Sequence, residues 1–504
     1  MKKISYIILL ISLGIISCNE WLHAPSDMEI DNERQFETEA GFRNALMGIY
    51  INMASADMYG KNMTWFAVDM LGQNYSNFMN VLSHIQEYNY NQKFVSEIVK
   101  SVWLSTYNTI ANINNELKYL EKNRSVLHPL NHRLIKGELL GLRAYLHFDL
   151  LRLFGYGNWQ SREDIATRPT IPYVTVFSKN TTPQRSYEET FRMLLSDISE
   201  ALELLKQDPI TGNFPESHYA EVNTAGFYDK RDMRMNYYAV KALEARIHMW
   251  KGSDEDKHKA LAAAREVVEH YPFKWITPRS INHSEQAQQD LTFSTEHVFS
   301  LNVHKIHSIT ANFLTEAQID NFNTFKINEE QINETYEIEI GYDDDWNPVL
   351  QGPGLSDYRR IRLFKEASPG IFVPAKLRQC PNYNTAYANR MPMLRISEMF
   401  YIMAECMLSE KDTDLIKAVE YMNTVRSNRG IKEEFELPNT LSKEEIMNEI
   451  LKEYRKEFVC EGQLFFFYKR LGMENIPNYK NIMDDKKYML PYPDEEISTG
   501  NRVQ

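Results

Sequence analysis

The chain has 504 residues, 43% hydrophobic and 25% charged, and its 56 Lys and Arg against 69 Asp and Glu give a net charge of −13. These are globular proportions, which exclude a low-complexity or collagen-like chain. The acid excess argues against nucleic acid as a partner, because phosphates call for a basic face.

Met1-Lys2-Lys3 makes a short basic start, residues 4–16 are almost wholly apolar, and Ser17-Cys18 follows. That apolar run is far shorter than the ~20 residues a spanning helix needs, so residues 1–17 read as a secretory signal. Cys18 stands where a bacterial lipoprotein signal places its lipidated cysteine, and lipidation there is expected. The mature chain would then run over 18–504. No other run approaches the ~18 apolar residues of a membrane span. Cys380, Cys406 and Cys460 are too few and too scattered for a disulfide framework. Cys406 and Cys460 sit in apolar helical context and are expected in the core.

The first amphipathic run covers 42–53. A second covers 95–121, where Trp103, Tyr107, Ile110, Ile113, Leu117 and Leu120 recur at three and four residues, the helical spacing. Residues 134–154 are apolar nearly all round, which marks a buried helix. Asp149 and Arg152 within it are placed to pair, and Gly155 and Gly157 stop it. After a proline-bearing connection over 156–185, Ser186 and Glu189 announce a capped helix over 187–206. Helices over 235–251 and 256–270 carry alanine stripes, the small faces that stacked helix hairpins require. No strict repeat of the roughly 34-residue consensus kind is visible.

Residues 271–395 change character, as helical periodicity fades and Pro, Gly, Asn and aromatic residues rise. Residues 298–303 look like a short strand. Residues 341–360 look like long loops, which are more often functional than structural. Helices return over 397–409, 413–429 and 443–460. The mature chain therefore divides into a helical part over 18–270, a loop-rich insertion over 271–395, and helices with an extended tail over 396–504. One mostly α body with an inserted region and a few short strands is simpler than three domains.

No catalytic constellation is visible. His-Glu-x-x-His, Gly-x-Ser-x-Gly and a phosphate-cradling glycine loop are all missing. In an extended segment His304 and His307 would face opposite ways and could not share a metal, so they read as polar surface residues. Asp343-Asp344-Asp345 offers oxygen ligands of the kind calcium takes, but lacks the spacing and distal Glu of an EF-hand loop. It reads as a solvated acidic loop; no cofactor is expected, with structural calcium left open. Trp65, Trp103 and Trp250 fall in helical patterns and are expected in the core, and Trp275 as a structural plug. Arg143, Glu405, Arg426, Arg455 and Glu461 lie in helical motifs, where buried charges need partners.

The ordered motifs resemble the SusD/RagB family of Bacteroidetes outer-membrane lipoproteins. Residues 143–155, Arg-Ala-Tyr-Leu-His-Phe-Asp-Leu-Leu-Arg-Leu-Phe-Gly, match the family's helix and glycine stop. Ile171-Pro172, Gln184-Arg185-Ser186-Tyr187 and Asp197-Ile198 follow in order, then the alanine-rich helix pair. Later come Met393-Leu394-Arg395-Ile396-Ser397-Glu398, Ala404-Glu405, Arg426 and Arg429-Gly430. The series ends with Glu453, Arg455, Glu457-Phe458, Glu461-Gly462, Tyr468-Lys469-Arg470-Leu471-Gly472 and Leu490-Pro491-Tyr492-Pro493. Ser397 stands where the family usually has Ala, and Gln463-Leu464-Phe465-Phe466-Phe467 replaces its usual Arg-aromatic-aromatic-Asp run.

The resemblance implies a tetratricopeptide-like helical scaffold presenting a ligand-binding face. It implies no enzymatic activity and a TonB-dependent SusC-like barrel as partner. The chain would be lipid-anchored in the outer membrane and would capture oligosaccharide, some members taking peptides instead. Peptide or host-protein binding on the same scaffold, for import or adhesion, is the alternative reading. A sugar binder needs flat rings and planar hydrogen-bonding groups. In the two broad regions where the family builds its site, the loops over 72–78 and 341–347 offer that mixture. Asn74, Tyr75, Phe78, Tyr342 and Trp346 are the candidate ligand-binding residues, against the plainer roles of loop-anchoring rings and turn-forming Asn.

Overall fold

A computed structural model of the chain describes residues 33–380 and 382–503. Cys18 and the signal segment lie outside the described residues. The architecture is mostly helical, as the periodicity indicates. The longer helices are α1 (Glu39–Met53), α2 (Lys93–Lys122), α3 (Pro129–Phe154), α4 (Tyr187–Leu204), α5 (Tyr237–Lys251) and α6 (Asp254–His270). After the insertion come α7 (Ile396–Cys406), α8 (Leu415–Asn428), α9 (Lys443–Glu457) and α10 (Gln463–Leu471). Each packs on the next, from α1 through to α10. That is the one-dimensional stacking of helical-repeat scaffolds. The pairing of α6 with α7 is direct, although more than a hundred residues separate them in sequence.

The helix ends follow local chemistry. Ser186 and Glu189 form the expected reciprocal capping box at α4, and Ser442 and Glu445 form another at α9. α3 is buried on nearly every face, and its buried charges are partnered internally. Glu138 accepts from Arg231 at 2.5 Å, Arg234 at 2.8 Å and the Tyr50 hydroxyl at 2.7 Å. Arg143 makes a bidentate pair with Asp197 at 2.8 and 2.7 Å. Arg152 pairs with Asp149 as expected.

The other expected pairings are also present. Glu405 meets Arg470 at 2.6 Å, Arg426 meets Glu453 at 3.0 Å, and Arg455 meets Glu334 at 2.7 Å. Glu461 receives Lys376, and Arg395 at 2.9 Å. Cys406, Cys460, Trp65, Trp103 and Trp250 are all buried. His304 and His307 are exposed, with His307 in a short helical turn rather than an extended segment.

The insertion contains the strands: β1 (His297–Asn302), β2 (Ile327–Asn328), β3 (Glu339–Tyr342), β4 (Pro348–Gln351), β5 (Phe364–Ser368), β6 (Ile371–Pro374) and β7 (Arg390–Arg395). β1 and β7 pair antiparallel, so the segment leaves and re-enters the helical body through one closed neck. β2, β6 and β5 form a small antiparallel sheet, and β3 with β4 a hairpin. The hairpin corrects the expectation of an irregular loop from 341 onward. Its strands are exposed on both faces, so they lack the one-sided alternation that makes a strand visible in sequence.

Candidate ligand-binding face

The β3–β4 hairpin runs in register from Glu339↔Gln351 to Tyr342↔Pro348. Directly opposite residues share a sheet face, so Ile340, Leu350, Tyr342 and Pro348 form one apolar stripe. The connecting loop braces itself. Asp343 accepts from the Asn347 backbone N at 2.8 Å, the Asp345 N at 3.0 Å and the Asn347 amide at 3.1 Å. The Asn347 backbone bond leads in holding the Asp343 carboxyl below its usual range. Trp346 adopts φ +62°, a conformation rarely taken by bulky side chains. Its indole is 80% exposed and the Tyr342 ring 63%. The two ring centroids are 5.9 Å apart with their planes at 43°. Exposed rings of this size, contiguous with Ile340 and Leu350, make the kind of patch that marks a binding surface.

The 72–81 loop is organised differently. Tyr75 is only 2% exposed, and its hydroxyl donates to Asp69. Its ring sits 4.7 Å from Phe325, and Phe78 packs edge-on to the same ring at 5.2 Å. These two candidates are therefore corrected: both rings are spent in an aromatic cluster with Trp65, Phe66 and Phe313. They fasten the loop and present no open face. Burial pushes the Asp69 carboxyl up to about 7, although it accepts from Tyr75 and from the Gly462 and Cys460 backbone N–H groups.

Asn74 is half-buried. Its carbonyl accepts from Gln331 at 3.4 Å, and its Nδ2 has no hydrogen-bond partner among the described residues. What the loop does present is Met79, 90% exposed, beside Phe322, 70% exposed. Asn80 ties the two segments through Phe322 O at 3.1 Å and Asn323 Oδ1 at 2.7 Å. Ser76 N donates to Lys326 O at 2.8 Å. The loop is thus docked on the segment that leads through the short helix Glu329–Thr335 into the hairpin. Met79 and Phe322 were not singled out from sequence. Their signal is an apolar residue flanked by Asn, Phe78-Met79-Asn80 and Asn321-Phe322-Asn323.

Next to this loop lies a cavity of about 510 Å³ lined by Tyr88, Asn89, Tyr90, Asn91, Tyr156 and Lys486, among others. The rings are pre-set: Tyr88 donates to Leu71 O at 2.7 Å and accepts from Gln73 Nε2 at 3.1 Å, and Tyr90 donates to Lys487 O at 2.5 Å. Asn89 and Asn91 are exposed, and their side-chain amides bond to no protein group among the described residues. The volume is in the range of small-ligand sites. The Tyr88-Asn89-Tyr90-Asn91 alternation is its legible signal. Among the described residues no group of three or more His, Cys, Asp or Glu is placed to hold a metal ion, and no helix is long and apolar enough to cross a membrane.

Residues 20–225 match a family described as starch-binding and associating with the outer membrane, and residues 364–502 match the SusD family. The chain belongs to the SusD/RagB family. A SusD superfamily protein of Bacteroides thetaiotaomicron has the same fold, with a TM-score of 0.63 and 22% identity over 93% of this chain and 99% of that one. A SusD-like carbohydrate binding protein of Bacteroides vulgatus superposes with a TM-score of 0.66 and 15% identity over 92% of this chain and 97% of that one. SusD-like protein P25 of Formosa agariphila is 22% identical over 312 residues, 60% of this chain. The chain spans about half the length of that curated relative, 51%. The description of the first of these families names starch binding and association with the outer membrane.

Proposed function

We propose that this protein is a non-catalytic surface lipoprotein that captures oligosaccharide and passes it to a TonB-dependent SusC-like barrel in the outer membrane. The observation that carries the reading is the Tyr342–Trp346 pair, held in solvent by a hairpin loop that braces itself through Asp343. Sugar rings stack their apolar C–H face on such rings, while their hydroxyls need planar amide and hydroxyl partners. The exposed amides of Asn89 and Asn91 would supply such partners. Acyl chains on Cys18 would hold the protein at the membrane, since stable anchoring takes more than one chain. Tethering beside the pore raises the local concentration of captured glycan. Energy for transport would come from the barrel's partners and not from this chain.

The test is calorimetric titration of the mature protein against oligosaccharide and peptide panels. Saturable heat with one glycan class is expected, weakened about tenfold or more by Trp346→Ala. Binding to peptides alone would overturn the substrate class. Turnover of any glycan would overturn the non-catalytic reading.

A further inference from the structure

The hairpin tip that carries the Tyr342–Trp346 pair has a sign as well as a shape. Residues 339–351 hold Glu339, Asp343, Asp344 and Asp345 and no Lys, Arg or His. Three acids elsewhere in the insertion each meet a cation: Glu316 meets Arg378 at 3.2 Å, Glu334 meets Arg455 at 2.7 Å and Glu337 meets Lys452 at 2.9 Å. The four hairpin acids meet none among the described residues. Asp343 is engaged within the tip by the Asn347 and Asp345 N–H groups, and no Lys or Arg acts on its carboxyl. Asp344 and Asp345 are exposed, and their side chains make no hydrogen bond among the described residues.

Chain geometry sets these carboxylates beside the rings. Asp343 follows Tyr342 and Asp345 precedes Trp346, and the Trp346 N–H donates to Asp343 O at 2.9 Å, which closes the tip on itself. With successive Cα atoms ~3.8 Å apart, a group laid on either ring comes within roughly 6–8 Å of Asp344 or Asp345. In water, a unit charge about 6 Å from a carboxylate changes a binding constant roughly threefold. Two carboxylates change it roughly tenfold at low salt, and less as the Debye length shrinks. The rings lean the same way, since an ammonium is drawn to the face of Trp or Tyr. No group on the hairpin offsets a carboxylate or sulfate on a ligand.

We propose that this tip sorts glycans by charge. It takes a sugar bearing a free amine ahead of an uncharged one, and turns away one bearing carboxylate or sulfate, with Asp344 and Asp345 as the specificity-determining residues. The acids are not a site of their own: the two rings make the contact, and the acids set the sign of the field over them. The inference rests on the glycan reading of the hairpin.

Three hexamers on one β-1,4-linked gluco backbone test it, built of glucose, of glucosamine and of glucuronic acid. Each is titrated into the mature protein at low salt and mildly acidic pH, where the amines are charged, with EDTA present so that no divalent cation masks the carboxylates. The glucosamine chain should bind about tenfold tighter than the glucose chain, and the glucuronic acid chain about tenfold more weakly. The spread should close as salt is raised. The double variant Asp344→Asn, Asp345→Asn should remove most of it at unchanged Tm. Equal affinities, or a spread that the double variant keeps, would overturn the inference. The same field is read without a sugar from Trp346 fluorescence, taken as the difference between the unaltered protein and Trp346→Phe. The ratio of caesium to iodide quenching should fall about threefold or more in the double variant, and an unmoved ratio would also overturn the inference. If the ratio moves and no glycan of any charge binds, it is the glycan reading that falls.

Discussion

Tyr75 and Trp346 are both loop aromatics in Asn- and Gly-rich sequence, yet the structure gives them opposite roles. The Tyr75 hydroxyl is consumed by Asp69 beneath the loop, whereas Trp346 stands 80% exposed at its hairpin tip beside Tyr342. Tyr75→Phe leaves a buried carboxyl short of one donor. It should lower stability by ~1–2 kcal/mol in urea unfolding while leaving glycan titration unchanged. A glycan affinity that falls with Tyr75→Phe at unchanged stability would return Tyr75 to the ligand. Asp69 itself makes the stability depend on pH. Its folded-state value is raised to about 7 by burial, from an ordinary 3.8. Between those values the unfolded chain releases a proton that the folded chain keeps, so this contribution to stability falls as pH rises through the window. His147 acts in the opposite direction over an overlapping range. Burial lowers it to about 3, so its contribution is lost as pH falls from the ordinary imidazole range. As pH rises from about 4 to about 7 the Tm of Asp69→Asn should therefore gain on that of the unaltered protein, because only the latter loses the Asp69 contribution there. Equal slopes in the two proteins would show that Asp69 does not titrate there.

α9 carries the charges that bind the insertion to the helices. Glu457 accepts from Arg359 at 2.9 Å, Arg395 at 2.6 Å and Arg429 at 2.6 Å, all buried. Burial alone would raise its carboxyl, but Arg429, Arg395 and Arg359 more than offset that and hold it well below its ordinary range. Glu457→Gln leaves three buried guanidiniums short of a countercharge. It should cost ~3–5 kcal/mol in denaturant unfolding, the scale of breaking a buried ion pair. A loss under ~1 kcal/mol would mean that the other carboxylates take over. The same cluster marks what the sequence made legible. Helical periodicity and capping residues located most of the long helices to within about five residues, because those signals are local, but the short α10 over Gln463–Leu471 was not read. That Arg426, Arg455 and Glu461 pair within the scaffold followed from charge in an apolar helix. The partners of Arg455 and Glu461 did not, because Glu334, Lys376 and Arg395 come from the insertion and only tertiary packing brings them in. The hairpin was hidden for lack of alternation. Tyr75 and Phe78 were misplaced because an aromatic in a polar loop reads the same whether it caps a core or faces a ligand.

At the scale of the whole molecule, the direct packing of α6 on α7 and the β1–β7 neck keep the helical stack continuous across the insertion. The ligand face can therefore be shaped by 297–395 without interrupting the scaffold. On the proposed function, capture is useful only if that face is held beside a pore, which would depend on a residue far from it in sequence. With Cys18 acylated by more than one chain, release from the membrane is slow, whereas one chain alone gives only marginal binding. Cys18→Ser should move the protein from the membrane fraction to the soluble fraction. Its calorimetric affinity for glycan should stay unchanged, because the 339–351 hairpin and the 72–81 loop are untouched. Glycan uptake by cells should still fall, since the free protein loses the effective concentration that tethering supplies. Fractionation of the variant separates the two contributions. Continued membrane retention would place the anchor elsewhere, and retained uptake by a fully soluble variant would show that capture works without a tether.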